Sequence, residues 1–539
     1  RRKCSAQLIH FWVQFCFWSL SECLFFFAMS MSRVLRLAAP GRTSCLRVAA
    51  YRTSAPLLSM KLPLLTVKGA QSSDGEVSVS APFDGAHIAS IPSSDGAAIE
   101  ASLQAAYELF QDRDRWLSIP KRVEILRNLC KIMEARADDL ALKAATEGGK
   151  PLLDSKVEVA RAIDGINVII ETLRTQAGKE IPMNLNAASM GRMAITRHEP
   201  VGVVVAVSAF NHPLNLIVHQ AIPAIATGCP VIVKPAEDTP ISCWLLIQML
   251  REAGLPEEYC QAVITKDVAN AEKLVCDPRV AFFTFIGSAR VGWMLRSKLA
   301  PGTKVALEHG GAAPVIVAAD ADLDQAVPVL AKGGFYHAGQ VCVSVQRVFV
   351  HESIAKEFAQ RLAIEGAKMK IGDPRLADTE VGPLIRHREV DRVDQWVKEA
   401  VAAGTELVSG GNRVGESCYE CTVLYNPPAD AKVSTNEIFG PVVCVYPYSS
   451  LDDALHRAND VPFQFQAAVW TKDLDTTFRC FSRLSALAVM VNDHTAFRVD
   501  WMPFGGGKQS GLAMGGLPHT MHDMQIEKMM VIKSPELAH

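Results

Sequence analysis

Between Cys23 and Ser73 the chain has no aspartate or glutamate. Across residues 1–73, ten lysines and arginines face the single acid Glu22, a charge of +9. The near-neutral total of -2 therefore conceals a body of about -11. A basic leader on an acidic body excludes the electrostatics of a nucleic-acid binder, which ranges its cations along phosphates. An unbroken apolar run of bilayer length is also missing. The best candidate, residues 8–28, is interrupted by His10, Gln14 and Glu22, and burying one carboxylate in a membrane costs roughly 3 kcal/mol. The fourteen cysteines have no extracellular spacing, so reduced thiols are expected. Cys418 and Cys421 form one C-x-x-C, with neither a second pair nor a nearby histidine, and no metal is expected there.

The 539 residues are 49% hydrophobic and 21% charged, enough for large cores, and such a length corresponds to roughly three to four units of about 150 residues. Collagen-like, disordered and mini-protein classes are thereby excluded. The acid-poor leader is rich in Arg, Ser, Ala and Leu, the composition of a mitochondrial presequence. Translation is expected to start at Met29 or Met31, with residues 1–28 upstream of the start. The expected location is the mitochondrial matrix, or the cytoplasm if the leader is not used.

From Asp74 onward, helical patterns alternate with short apolar runs. Residues 94–112 and 119–147 predict amphipathic helices. Val201–Val207, Val231–Val233, Ala281–Ile286, Val315–Val317, Val345–Val350, Val442–Tyr446, Ala467–Trp470 and Ala488–Val491 predict strands. Short strands separated by helical segments indicate a parallel α/β architecture, and two sheets fit the length.

Chemistry-bearing residues follow the strands. One predicted strand ends on Lys234, with Glu237 three residues on, where ligands of open α/β sheets bind; the two side chains can hold ribose hydroxyls or form a surface ion pair. Another runs into Gly287-Ser288-Ala289-Arg290-Val291-Gly292, which is not G-x-G-x-x-G but opens onto a helix whose N-terminal NH groups suit a pyrophosphate. Further on stand Leu307-Glu308-His309-Gly310-Gly311 and Gly339-Gln340-Val341-Cys342-Val343-Ser344. A cysteine in a Gly-flanked segment, a separate acid and an asparagine at Asn211 suggest a thiolate nucleophile, a base and an oxyanion donor. Taken singly, each is more often a structural residue, a cysteine usually being a small buried hydrophobe.

Together FNHP, VIVKPAEDTP, FIGSARVG, LEHGG, GQVCVSVQR, NEIFGPV and PFGGGKQSG, in that order, resemble the aldehyde dehydrogenase superfamily over about residues 75–535. The resemblance implies an NAD(P)-dependent oxidoreductase that converts an aldehyde to an acid through a thiohemiacetal and a thioester on Cys342. Asn211 and the Cys342 backbone NH would hold the oxyanion, and Glu308 would activate the hydrolytic water. Lys234 and Glu237 would clamp the adenosine ribose, Gly287 and Ser288 would lie near the pyrophosphate, and Glu437 and Phe439 would position the nicotinamide riboside. The Glu237 carboxylate would repel a 2'-phosphate, so NAD is expected over NADP.

Three departures stand out. His309 occupies a position more often aliphatic, the Ala513-Met514-Gly515-Gly516 stretch brings no acid where many relatives have one, and His212 follows Asn211. His212, Asn215 and His219 share one face of a helix expected to begin after Asn211. With Arg498, they predict a small polar or anionic aldehyde, of the kind that lactaldehyde- and phosphonoacetaldehyde-oxidising members handle; the other reading of Arg498 is an ion pair with Asp500.

The implied architecture is a Rossmann-like NAD-binding domain (75–181 and 201–306), an α/β catalytic domain (307–510), and a small β oligomerisation arm with the C-terminal tail (182–200 and 511–539). A homodimer or homotetramer is expected, without membrane or nucleic-acid partners for the mature enzyme. The alternatives are a coenzyme A-acylating semialdehyde dehydrogenase, against which the hydrolytic Glu308 argues, and a catalytically silent protein of the same fold.

Overall fold

A computed structural model describes residues 60–538. Most of the leader, including the expected start sites Met29 and Met31, lies outside the described residues. The folded body begins before the charge boundary at residue 73. Met60–Lys61 pairs in parallel with the strand His87–Ser94, and Leu62, Leu64, Leu65 and Val67 are buried. Absence of acids extends past the start of the fold because these residues are apolar.

A six-stranded sheet runs in the order Gly511–Leu512, Lys304–Glu308, Val280–Ile286, Val203–Val207, Val231–Lys234, Cys260–Ala262. All its pairings are parallel except that of the short Gly511–Leu512 edge. Its strands read as continuous apolar runs because both faces are covered. Val204 and Ala206 enter one core with Val231 and Val233, while Val203, Val205 and Ile232 enter another on the opposite face, as the period-two alternation of a strand requires.

A seven-stranded sheet follows, in the order Glu406–Ser409, Thr422–Tyr425, Val442–Tyr448, Arg347–His351, Pro314–Val317, Gln466–Trp470, Ala488–Val491. It has its own core. Only five residues separate Glu308, the last residue of one sheet, from Pro314, the first of the other. All eight expected strands form, with ends shifted by a residue or two. Expected helix 119–147 is instead two, Ile119–Ala135 and Ala137–Gly148. Arg136 breaks it with non-helical backbone (φ -116°, ψ 15°) and donates to both carboxylate oxygens of Glu252 at 2.9 Å.

A third sheet pairs Gln525–Lys533 antiparallel to Arg192–Pro200, with Glu180–Ile181 on the far side. Within the preceding segment, Leu517, Met521 and Met524 join the core of the six-stranded sheet.

Candidate active site

Asn211 lies in the turn between the strand Val203–Val207 and the helix Asn215–Thr227. The helix starts later than the sequence pattern suggests, so His212 is in the turn and not on the helix. The turn is held by Glu158, whose Oε1 accepts from the backbone NH groups of Leu214 (2.9 Å) and Asn215 (3.0 Å), a carboxylate at a helix N-terminus. Its other oxygen takes the Lys150 ammonium at 2.9 Å in a fully buried pair. So fixed, the Asn211 Nδ2 donates to the Gln340 carbonyl at 3.0 Å, two residues before Cys342. This contact brings together the two segments that were read as nucleophile and oxyanion donor.

The cysteine segment has an unusual backbone. His337, Ala338 and Gly339 are consecutively left-handed (φ 50°, 53° and 69°), and a Cβ at Gly339 would meet the Gly440 carbonyl oxygen at 2.1 Å. Gln340 fastens the far end, donating to the Pro383 carbonyl and accepting from the Ile385 NH. Cys342 packs at the edge of a small apolar cluster of Val341, Val343, Phe465 and Phe504.

Glu308 ends the strand Lys304–Glu308 inside the same site. Burial raises its carboxyl above the usual range, and Arg498 opposes that shift. The Cys342 thiol is raised by burial and then by Glu308, with Arg498 again lowering it. Glu437 is pushed up by burial to about 8, and its Oε1 accepts from the Gly311 NH at 3.2 Å. The space it occupies exists because Gly310 has no side chain: a Cβ there would fall 1.6 Å from that oxygen. Phe439, at φ 47°, meets Phe210 edge to face, centroids 5.9 Å apart. His309 turns away from the site, its Nδ1 2.7 Å from the Gly287 carbonyl and its ring beside Phe285 and Trp293.

The ion pair of Arg498 with Asp500 forms, but at long range. Asp500 is already occupied: Arg161 donates to both of its oxygens (2.7 and 3.1 Å), and His219 Nε2 lies at 2.7 Å. The Arg498 Nε is 3.9 Å from it and is buried without a hydrogen-bond partner among the described residues. Its guanidinium lies 3.6 Å over the Phe504 ring and donates to His219 Nδ1 at 3.1 Å. That donation sets the tautomer, so Nε2–H of a neutral His219 donates to Asp500; burial and Arg498 lower this histidine to about 4. Asn215 also donates to Asp500, at 3.4 Å. His212 is separate from this group, 3.4 Å from the Tyr336 hydroxyl.

The Aldehyde dehydrogenase family pattern matches residues 69–530. The chain belongs to the aldehyde dehydrogenase family. It is 39% identical over 413 residues to the 3-sulfolactaldehyde dehydrogenase of Priestia aryabhattai, covering 76% of this chain and 86% of that one. Aldehyde dehydrogenase 21 from Physcomitrella patens, solved in complex with the reaction product succinate, superposes with a TM-score of 0.84 at 34% identity, covering 88% and 98% of the two chains. Glyceraldehyde-3-phosphate dehydrogenase from Methanocaldococcus jannaschii, complexed with NADP, gives 0.81 at 31%, covering 86% and 100%.

An aldehyde dehydrogenase of this family needs a place for NAD(P), and the residues present fit one. Lys234 closes its strand nearly buried, with Glu237 Oε1 at 3.9 Å as its ion-pair partner. Ser288 caps the helix Ala289–Arg296 without a side-chain hydrogen bond to it, leaving N-terminal NH groups and dipole available to a phosphate. Gly287 follows the strand Val280–Ile286. Sequence reasoning missed Glu158, Lys150 and Arg161: each comes from the helix Leu152–Thr175 or the turn before it, far from every motif.

Proposed function

We propose that this aldehyde dehydrogenase oxidises a short aldehyde carrying an anionic group, with Cys342 as nucleophile and Glu308 as base. The observation that carries the substrate class is Arg498, a buried cation with an unsatisfied Nε, near enough to Cys342 and Glu308 to shift both. Burying a guanidinium whose nearest carboxylate is 3.9 Å away and whose Nε has no hydrogen bond is costly, and a substrate anion would relieve it. The similar proteins above act on or bind molecules bearing a sulfonate, a carboxylate or a phosphate, which is the same chemistry. His212 lies across the turn, beside Tyr336, in a position to contact a substrate hydroxyl.

The Asn211 amide has two hydrogens, and the Gln340 carbonyl takes one. The other, with the Cys342 backbone NH, would stabilise the oxyanion formed when Cys342 sulfur attacks the carbonyl carbon. The bound dinucleotide supplies a hydride acceptor for the resulting thiohemiacetal. Glu308 then takes a proton from the water that attacks the thioester; the C–S bond breaks and the sulfur keeps the electron pair. Glu437 and Phe439 would hold the nicotinamide ribose and ring, Lys234 and Glu237 the adenosine ribose, and Gly287 and Ser288 the pyrophosphate. The Glu237 carboxylate supports NAD over NADP, and Glu237→Ala should raise the use of NADP relative to NAD.

The deciding experiment follows NADH at 340 nm with matched neutral and anionic short aldehydes. Cys342→Ala should abolish the signal. Arg498→Ala should lower kcat/KM for the anionic aldehyde by roughly tenfold to a hundredfold, the worth of a charged hydrogen bond, beyond any loss on the neutral one. Equal losses on both would refute the anionic substrate. Glu308→Gln should release one NADH per site and stop; undiminished turnover without coenzyme A would refute the base.

The six-stranded sheet with its helices is read as the cofactor domain, the seven-stranded sheet as the catalytic domain, and the pair Arg192–Pro200 and Gln525–Lys533 as the arm of a homo-oligomer. Support for the arm is its surface: Ile526, Met529, Met530, Val531 and Ile532 are all exposed. Among the described residues no helix is long and apolar enough to cross a membrane. The composition of residues 1–73 supports delivery to the mitochondrial matrix, which sequencing the N-terminus of the native protein would check.

A further inference from the structure

Glu308 borders an internal cavity whose lining does not include Cys342. The cavity has about 40 Å³ of room for water, and since one water needs roughly 10–15 Å³ of such space there is room for about three or four. Its wall is polar at several points: His219, Gln220, Thr284, Thr520 and Asp523 line it together with Glu308. The Oε1 of Gln220 is buried with no hydrogen-bond partner, although its Nε2 donates to Val207 and Thr284. A water in the cavity would satisfy that oxygen. Beside Glu308 the wall is Gly515, where even an added Cβ would stay 3.8 Å from Glu308 Oε2. No side chain there separates the carboxylate from the cavity.

The cavity lining also includes Asp523, the last residue of the helix Leu517–Asp523. The side chain is 35% exposed, so Asp523 borders both the cavity and solvent. It is surrounded by His519 and His522 of its own helix and by Lys304 of the neighbouring strand. Beside Glu308 the charged group is Arg498 and the titratable one the Cys342 thiol, and His219 is neutral. Burial raises both carboxyl groups above the usual range, so each exchanges a proton closer to neutrality than a free carboxylate does.

We infer that this cavity is the proton outlet of Glu308: its waters pass the proton taken from the hydrolytic water to Asp523, which releases it to solvent. The inference rests on Glu308 being the base. Charge and atoms balance. Water hydroxyl joins the acyl carbon, sulfur leaves with the bonding pair, and the remaining proton moves from Glu308 through the waters to bulk. The outlet matters because Glu308 is buried and must be deprotonated again before each turnover.

The test uses the full-length enzyme with NAD and succinic semialdehyde as the probe. Asp523→Asn should leave the first-turnover burst of NADH unchanged and lower steady-state turnover on the order of a hundredfold, at the low end of what a positioned proton acceptor contributes. Added formate or imidazole should restore the rate in this variant by reaching the exposed position from solvent, and should do nothing to wild type. Asp523→Glu should keep the rate. Thr520→Leu, which fills the cavity, should lower steady-state turnover without rescue by either buffer. Asp523→Asn turning over at the wild-type rate at every pH, or a loss that no buffer restores, overturns the outlet. If Glu308→Gln stalls after the burst while Asp523→Asn is unaffected, only the outlet fails. If Glu308→Gln turns over normally, the base and the outlet fail together.

Discussion

Cys342, Glu308 and Glu437 are all buried, and burial favours the neutral form of each. With Cys342 as the proposed nucleophile and Glu308 as the proposed base, both acting as anions, the rate should rise with pH, and the limb due to Glu308 should lie above the ordinary carboxylate range near 4. Arg498 lowers both groups, so Arg498→Ala should move the rising limb of the pH–rate profile to higher pH, even with a neutral aldehyde. Arg498→Lys should move it less, because the charge stays. Asp500 belongs to the same network in a structural role. Arg161 and His219 hold its carboxyl below the usual range, so its stabilising contribution is full above about pH 4 and is lost as pH falls through the lower native value. Asp500→Ala leaves Arg161 and Arg498 without a counter-charge and should cost roughly 3 kcal/mol, read as a lowered melting temperature near neutral pH.

Two segments place the chemistry through glycines whose neighbours leave no room for a side chain. At Gly310 the neighbour is the Glu437 carboxylate, so Gly310→Ala must displace the group assigned to the nicotinamide ribose. It should weaken NAD binding about tenfold, the value of one hydrogen bond to a charged group, measured by quenching of intrinsic fluorescence, while Cys342 still titrates with a thiol reagent. At Gly339 the neighbour is a carbonyl, and three successive left-handed residues store strain that the fastening of Gln340 offsets. The LEHGG and GQVCVSVQR motifs were legible as glycine-flanked chemistry, and the strands were legible as apolar runs. The break at Arg136 was not, because the apolar spacing continues across it and only the backbone of one residue departs. Arg161 was invisible for a related reason: it lies in a regular helix with nothing local to mark it.

For the whole molecule, the open edges are the unresolved physical problem. Gln525–Lys533 is an exposed edge strand with Met529, Met530, Val531 and Ile532 at its surface, and unpaired edges of this kind invite pairing. The far edge of the seven-stranded sheet, Ala488–Val491, is also open, near the exposed Phe478, Phe481 and Leu487. Self-association through these edges should give a homo-oligomer, and replacing Met530 and Ile532 by aspartate should dissociate it. Analytical ultracentrifugation would show the mass fall; an unchanged mass would exclude the arm from the interface. Composition and motif order were enough to determine the α/β class and the family, and to mark Cys342, Glu308 and Asn211 as candidates, because periodicity and glycine-flanked chemistry are written locally along the chain. Tertiary structure alone decided that Arg161 and His219 take the close contacts to Asp500 and leave Arg498 at 3.9 Å, and that Glu308 and Asp523 line the same cavity. Those are facts of distance between residues as far apart as Arg161 and Asp500, and no local pattern encodes which of several possible partners a charge will reach.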